Sequence, residues 1–339
     1  MSRLTKPDLK NEILLRVQKN FPLVARPFNV IAQELNSTES EVLAILNEAK
    51  KDKIIRQTSA IFDTKKLGYT SSLVAFEVDA EEIDNAVAVL NAHPGISHNY
   101  ERNHAFNIWF TLAVAPNSKL GLEKTVEILA LKTKAKNFII LPTLKLFKIS
   151  VKLDTTNSLS QKEHIATKTY KELSLNETHY ELIQHLQKDI ALVEEPFKAM
   201  IEELNISYET LFEHIQEFLE AGVIRRYASI LNHRNAGFNA NAMVVWNIDE
   251  NNAQAIGKEA AAYSAVSHCY LRPKYENWPY NLFTMIHGKT KEETQGVIDN
   301  IANSIEHDSY MPLYSSREFK KVRIDYFSEA FYAWEENHL

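Results

Sequence analysis

The chain has 339 residues, 45% of them hydrophobic and 24% charged, the balance of a packed globular protein with room for more than one core. A formal net charge of −6 argues against charge-driven attraction to nucleic acid or anionic membranes. The single cysteine, Cys269, excludes an internal disulfide; no Cys/His run has zinc-site spacing, no stretch approaches the ~18 apolar residues of a membrane span, and the start MSRLTKPDLKNE lacks a signal peptide's apolar core, so a cytoplasmic location is expected.

In chain order, the apolar periodicity predicts three helices, roughly Asp8 to Asn20, Asn29 to Asn36 and Glu39 to Lys51. A β-rich hinge follows from Ile54 to Phe62, then a strand near Leu73 to Val78, a helix near Glu81 to Ala92 and a Pro94-Gly95 turn. Two strands come next, Ile96 to Arg102 and Asn107 to Val114, then a helix from about Lys119 to Lys132 and a last strand from about Phe138.

The same series then repeats at an offset of 169 to 170 positions. VQKNFPLVARPF at Val17 to Phe28 lies on LQKDIALVEEPF at Leu186 to Phe197, Ile55-Arg56 lies on Ile224-Arg225, and Gly68-Tyr69 lies on Gly237-Phe238. ISHNYER at Ile96 to Arg102 lies on VSHCYLR at Val266 to Arg272, so a His-x-Tyr-x-Arg triplet occurs once per half. Ser174-x-x-Glu177 reads as a capping-box start of the second copy. The expected organisation is a helix-turn-helix unit over 1–53, a sheet domain over 54–153, a Ser/Thr/Lys-rich linker over 154–173, a second helix-turn-helix unit over 174–223 and a second sheet domain over 224–339.

Strand, helix, two strands, helix, strand is the ferredoxin-like βαββαβ order, in which both helices cover one sheet face. The bare face needs a partner, and a fused second copy supplies one. The fold class expected is therefore α+β, a tandem repeat of winged/helix-turn-helix and βαββαβ units packed as an intramolecular pseudo-dimer, with a cavity lined by both halves; further homo-oligomerisation is left open. This architecture resembles the leucine-responsive, AsnC-type transcription regulators. The third helices do not suit DNA: TESEVLAILNEA is acidic, and YETLFEHIQEFLE carries Glu209, Glu213, Glu217 and Glu220 without a Lys or Arg, the reverse of what phosphates require.

Alternate side chains of a strand share a face, so His98, Tyr100 and Arg102 form one row and His268, Tyr270 and Arg272 another. Beside the first row come His104 and Trp109; beside the second come Lys274, Tyr275, Trp278, Tyr280 and His287. Bland roles compete for each: a lone His is often a satisfied core residue, strand tyrosines pack between sheets, Trp109 suits a core, and arginines pair on surfaces. Recurrence of the triplet weighs against those for His98 and His268.

HNYERNHAFNIWFT at His98 to Thr111 and HCYLRPKYENWPYNLFTMIHG at His268 to Gly288 resemble the paired signatures of the siroheme decarboxylases, with two related subunits joined in one chain. RQTSAIFDTKKLGY and RRYASILNHRNAGFNANAMVVW resemble that family's hinge and first-strand segments. The resemblance implies a carboxy-lyase that removes CO2 from two acetate side chains of siroheme to give 12,18-didecarboxysiroheme, on the route to heme d1 or in the alternative heme route. It implies no metal or organic cofactor beyond the substrate's own iron; on the net charge and the acidic third helices, neither nucleic acid nor a membrane is expected as a partner.

A flat macrocycle fringed with carboxylates wants cations and aromatic faces. Arg102, Arg272 and Lys274 would supply the first; Tyr100, Tyr270, Trp109, Tyr275, Trp278 and Tyr280 would supply the second. Decarboxylation needs a general acid, for which His268 or His287 is expected, with His98 and His104 as first-copy counterparts; any of these could instead ligate the substrate iron. The copies are not equivalent, since the first has Ser59-Ala60 and Thr64 where the second has Ala228-Ser229 and His233, and a single productive site per chain is compatible with that. An AsnC-type regulator, or a tetrapyrrole-binding protein without catalysis, would use the same lining.

Overall fold

The computed structural model describes residues 6–19, 21–149, 169–231 and 240–339. Its elements are α1 (Lys6–Lys19), α2 (Pro27–Glu34), α3 (Glu39–Lys51), β1 (Ile55–Phe62), β2 (Thr70–Glu77), α4 (Ile83–Ala92), β3 (Ile96–Arg102), β4 (Ile108–Val114), α5 (Gly121–Lys132), β5 (Asn137–Pro142) and β6 (Lys145–Ile149). The second copy adds α6 (Glu177–Leu186), α7 (Lys198–Leu204), α8 (Tyr208–Ala221), β7 (Ile224–Leu231), β8 (Ala240–Asn247), α9 (Ala253–Ala262), β9 (Val266–Leu271), β10 (Leu282–Gly288), α10 (Lys291–Ser304), β11 (Ser309–Lys321) and α11 (Glu329–Glu336). Most of the expected linker, the match at Gly237-Phe238 and His233 lie outside the described residues.

The described residues form two compact units, one of 6–69, 169–231 and 325–328, the other of 70–149, 240–324 and 329–339. In the first, α3 starts where Thr38 Oγ1 accepts from the Glu41 amide (3.2 Å) and buries Val42, Leu46 and Ala49, one helical stripe. Its second-copy counterpart α8 starts at Ser207, buries Leu211, Ile215 and Phe218, and stops at Gly222, whose φ of 71° is left-handed. The start of α6 differs from the reading at Ser174: Asn176 is the N-cap, accepting from the His179 amide at 3.0 Å while His179 Nδ1 accepts from the Asn176 amide at 3.2 Å. Asn caps as well as Ser, and it stands immediately before the first helical residue.

β1 and β7 pair with each other in an antiparallel ribbon within this helical unit. Boundaries at 53/54 and 223/224 grouped these strands with the sheets; their hydrogen bonds instead close on one another. Ser59 stands opposite Ala228, its repeat equivalent (228 − 59 = 169), so a pseudo-twofold axis crosses the ribbon there, as in an isologous dimer. The difference noted between Ser59-Ala60 and Ala228-Ser229 therefore sits at this axis, where the Thr58 and Ser229 hydroxyls bond at 2.7 Å.

The second unit holds both βαββαβ halves as a single ladder in the order β5-β2-β4-β3-β11-β8-β10-β9-β6. One long strand and one broken one stitch it together. β11 pairs with β8 through Ser309–Tyr314 and then with β3 through Ser315–Lys321. In the first copy the corresponding strand is broken: β5 pairs with β2, and after two residues β6 pairs with β9 of the other copy. The last strand expected from Phe138 is thus two strands, each serving a different half.

Alternation along β8 sorts the core into two layers. Ala242, Val244 and Trp246 face the helix side with Ile256, Ala260, Ile298 and Ile301, and Phe147 of β6 joins them. Gly257 permits that: a Cβ there would overlap the Phe147 ring. Met243 and Val245 face the other way and cluster with Ala75, Trp109, Ile139 and Leu141 of the first copy. Strands β2 and β8 are not ladder neighbours, so the two half-sheets pack face to face, the expected intramolecular pseudo-dimer.

Candidate active site

Both His-Tyr-Arg rows lie on the inter-sheet face. On β3 the intervening Asn99 is buried and its amide donates to Asn91 of α4; on β9 the intervening Cys269 belongs to the helix-side core. The rows are alike. His98 stacks beside Tyr100 (ring centroids 6.2 Å apart) and Arg102 lies over the Tyr100 ring at 5.6 Å; His268 stacks beside Tyr270 (6.1 Å) and Arg272 lies over Tyr270 at 4.9 Å and Phe283 at 5.4 Å.

Each row ends in a buried guanidinium at the corner where a long strand changes partners. Arg102 is 5% exposed and donates through Nη1 to the Leu313 carbonyl at 2.7 Å; Arg272 is 7% exposed and donates to the Leu141 carbonyl. Neither has an ion pair among the described residues, and each Nε lacks a hydrogen-bond partner there. Burial lowers both to about 10, so both stay charged at neutral pH. A buried cation without a counter-charge is costly, and a ligand carboxylate is what would offset it.

Trp109 and Trp278, each 1% exposed, meet at 5.3 Å in the inter-sheet core. Trp109 Nε1 donates to the Phe106 carbonyl at 2.7 Å; Trp278 Nε1 has no partner among the described residues. Trp278 also packs against Tyr280 and against His104, whose imidazole burial pushes below its ordinary value while Glu77 opposes. His104 Nδ1 accepts from the Phe106 amide at 3.0 Å, so its own loop already employs it. Tyr275 is 39% exposed and its hydroxyl donates to the Ile140 carbonyl; Lys274 Nζ donates to Asn247 Oδ1 at 2.6 Å. The structure therefore brings His98, Tyr100, Arg102, His268, Tyr270, Arg272 and His287 into two rows on one face, joins His104, Trp109, Trp278 and Tyr280 in the core beside them, and leaves Lys274 and Tyr275 at the rim.

Two serines escaped the sequence reading. The register of β9 on β10 passes from His268↔Met285 to Val266↔Ile286, leaving Ser267 as the extra residue of a β-bulge; β3 on β4 does the same at Ser97. A bulge re-aims a side chain, and here each serine hydroxyl meets Nδ1 of the next residue, Ser97 to His98 at 2.9 Å and Ser267 to His268 at 2.7 Å. The signal was the repeated Ser-His dipeptide.

Among the described residues, the one grouping with metal-ligand spacing is elsewhere: His179, His214 and Glu217 present ligand atoms within 4.8 Å of one another. The α6 cap argues against a metal there. His179 Nδ1 accepts the Asn176 amide, so a neutral ring carries its proton on Nε2, the atom that faces Glu217.

Two domain families match. The AsnC-like ligand-binding domain covers residues 66–148 and 235–320, and the siroheme decarboxylase NirDL-like HTH domain covers 10–56 and 180–225. The chain is 42% identical to a siroheme decarboxylase of Hydrogenobacter thermophilus over 324 residues, 96% of each chain. The chain belongs to the siroheme decarboxylase family. A crystal structure of the siroheme decarboxylase NirDL in complex with an iron-uroporphyrin III analogue superposes with a TM-score of 0.78 at 36% identity, covering 97% of this chain and 98% of that one. The beta subunit of the Methanosarcina barkeri siroheme decarboxylase matches 44% of this chain with 99% of its own length, at 37% identity; one half here thus corresponds to a whole subunit there. As a siroheme decarboxylase the chain is a carboxy-lyase, and no helix among its described residues is long and apolar enough to cross a membrane.

Proposed function

We propose that this siroheme decarboxylase holds siroheme against the inter-sheet face, with Arg102 and Arg272 taking rim carboxylates, and removes CO2 from two acetates to give 12,18-didecarboxysiroheme for heme d1 or the alternative heme route. The observation that carries the placement is the pair of buried guanidiniums without a carboxylate partner among the described residues. Tyr100 and Tyr270 offer ring faces beside them, and the Trp109, Trp278 and Tyr280 cluster walls the site; Lys274 and Tyr275 serve the rim. Each acetate becomes a methyl group with release of CO2 and net uptake of one proton. Protonation of a ring carbon prepares an acceptor for the electrons of the breaking C–C bond; a proton then reaches the new methyl, and the ring carbon releases the one it took up. His268 is the donor of choice, with His287 behind it and His98 as its first-copy relative; the site asks for no cofactor beyond the substrate's iron.

DNA is not the partner on this reading. α8 presents Glu209, Glu213, Glu217 and Glu220, which line an acidic surface cleft of about 620 Å3 that would repel phosphates. The test is anaerobic incubation with siroheme followed by mass analysis of the tetrapyrrole. Two successive losses of CO2 are expected; intact siroheme with the spectrum of a bound complex would make the chain a binder without catalysis, and a nanomolar operator complex would make it a regulator.

A further inference from the structure

In the second copy the bulge serine does more than touch its neighbour. Ser267 Oγ, 6% exposed, lies 2.7 Å from His268 Nδ1 and 2.6 Å from His287 Nε2, and His287 Nδ1 lies 2.8 Å from Asn241 Oδ1. An amide oxygen only accepts, so His287 Nδ1 carries a proton and donates it. Nε2 of the neutral His287 then accepts the Ser267 hydroxyl proton, and the Ser267 oxygen accepts from His268 Nδ1–H. The chain of donors runs one way, and it fixes a neutral His268 as the Nδ1–H tautomer. His268 Nε2 is then the atom that gains and returns a proton.

Among the described residues, no such chain through a second histidine occurs in the first copy. Ser97 Oγ meets His98 Nδ1 at 2.9 Å and Thr111 Oγ1 at 2.7 Å, and a threonine hydroxyl serves as donor or acceptor. By register Thr111 corresponds to Met285, so Ala113 stands where the second copy has His287.

We propose that Ser267, anchored by His287 and Asn241, is a positioning residue that sets the tautomer and ring orientation of His268, and that this makes the second copy's row the one that handles protons. The proposal rests on the reading that siroheme lies against these rows. Loss of the hydrogen-bond partner that orients a metal-ligating histidine costs about 10–100-fold, and the same scale is expected for a partner that orients His268.

The experiment compares Ser267→Ala, Ser267→Thr, Ser97→Ala and His268→Ala by single-turnover decarboxylation, siroheme affinity and 15N NMR of the histidine rings in the ligand-free protein. Ser267→Ala should lower the rate about 10–100-fold with siroheme affinity kept, Ser267→Thr should recover most of it, and Ser97→Ala should lose at least tenfold less. The NMR of the native protein should show His268 protonated on Nδ1, and Ser267→Ala should move it toward the Nε2–H form. A native His268 already in the Nε2–H form, or equal losses for Ser267→Ala and Ser97→Ala, would overturn the proposal. Full activity in His268→Ala would instead remove the site reading beneath it, and so separates the two failures.

Discussion

The two halves carry the same His-Tyr-Arg row and differ one strand away. β4 sets Thr111 and Ala113 beside the first row; β10 sets Met285 and His287 beside the second. Both arginines are buried, both serines sit on bulges, and both histidines meet a serine hydroxyl, yet among the described residues it is the second row that continues through a further histidine, His287, to Asn241. Features that would bind a carboxylate rim are kept twice, and the feature that directs a proton is present once. A duplicated chain can specialise in this way because a pseudo-symmetric ligand needs gripping on both sides while a proton donor is needed where the acetate reacts.

The largest expected effect would break that asymmetry directly. His268→Ala should leave siroheme bound while lowering the single-turnover rate about 10²–10⁴-fold, the usual contribution of a general acid. The equivalent change at His98 should cost at least tenfold less, and those at His287 and His104 should fall between. An axial iron ligand would announce itself differently, by a changed optical spectrum of bound siroheme. Rates and spectra of the four variants measured together therefore assign the roles, and full activity in all four would move the acid to Tyr270 or to water held by Arg272.

The arginines should behave symmetrically. Arg272→Met and Arg102→Met each remove a buried charge that has no acid partner among the described residues, so ligand-free stability should change by no more than about 1 kcal/mol, the lost carbonyl hydrogen bond offsetting the relief. Siroheme affinity should fall by about 2–5 kcal/mol, the scale of a truncated buried charge pair. Urea unfolding and spectroscopic titration measure the two. An Arg102→Met variant that binds normally would confine the ligand to the second half.

The pattern of what was legible follows from range. Residues three or four apart on a helix, or two apart on a strand, report their shared face, so the helices, both rows and the helix-side core could be read locally. The split of the first copy's last strand into β5 and β6 could not, because β6 is defined by β9, more than a hundred residues later. The bulges were equally hidden: Ser97 and Ser267 look like ordinary strand residues until the register against β4 and β10 is known. Trp278 lies in a loop bounded by Pro273 and Pro279 yet is 1% exposed, since the pocket that takes it is built by Trp109 and Phe106 of the other copy. The C-terminal helix α11 offered too short a pattern to be noticed.

That helix supplies a second comparison between the halves. α10 begins with its own cap, Thr290 Oγ1 accepting from the Glu293 amide at 3.1 Å. α5 has no side-chain cap of its own at Leu120; Glu335 of α11, 3% exposed, accepts from the Leu120 amide at 2.9 Å and from the Ser118 hydroxyl. Burial pushes the Glu335 carboxyl up, but the Ser118 hydroxyl and the Leu120 and Lys119 amides outweigh it and hold it below its ordinary value. Glu335→Ala should therefore destabilise by about 1–3 kcal/mol, and Thr290→Ala by about 1 kcal/mol. Thermal unfolding measures both, and an Glu335 effect no larger than that of Thr290 would mean that α11 contributes nothing beyond an ordinary cap.

The smallest expected effect concerns acid. At the ends of α4 and α9, His93 and Tyr263 occupy equivalent positions (263 − 93 = 170), and each backbone carbonyl accepts from a lysine, Lys320 of β11 at 3.1 Å and Lys148 of β6 at 2.9 Å. Tyr263 places its hydroxyl on Ser304 at 3.0 Å, whereas His93 is fully buried against Trp334, with Nδ1 accepting from the Gly95 amide at 2.9 Å. Burial, aided by Lys320 and His338, lowers His93 to about 3. Below pH 6.5 an unfolded chain protonates this histidine while the folded chain does not, so the unfolded state binds more protons and stability falls as the pH drops. The first pH unit below 6.5 should remove about 1 kcal/mol through this group. His93→Asn keeps an acceptor for Gly95 and cannot titrate; its unfolding free energy should be flatter between pH 6.5 and 5.5 than that of the native chain. Parallel slopes in the two proteins would show that His93 takes up its proton in the folded state, and that the two halves meet acid on equal terms.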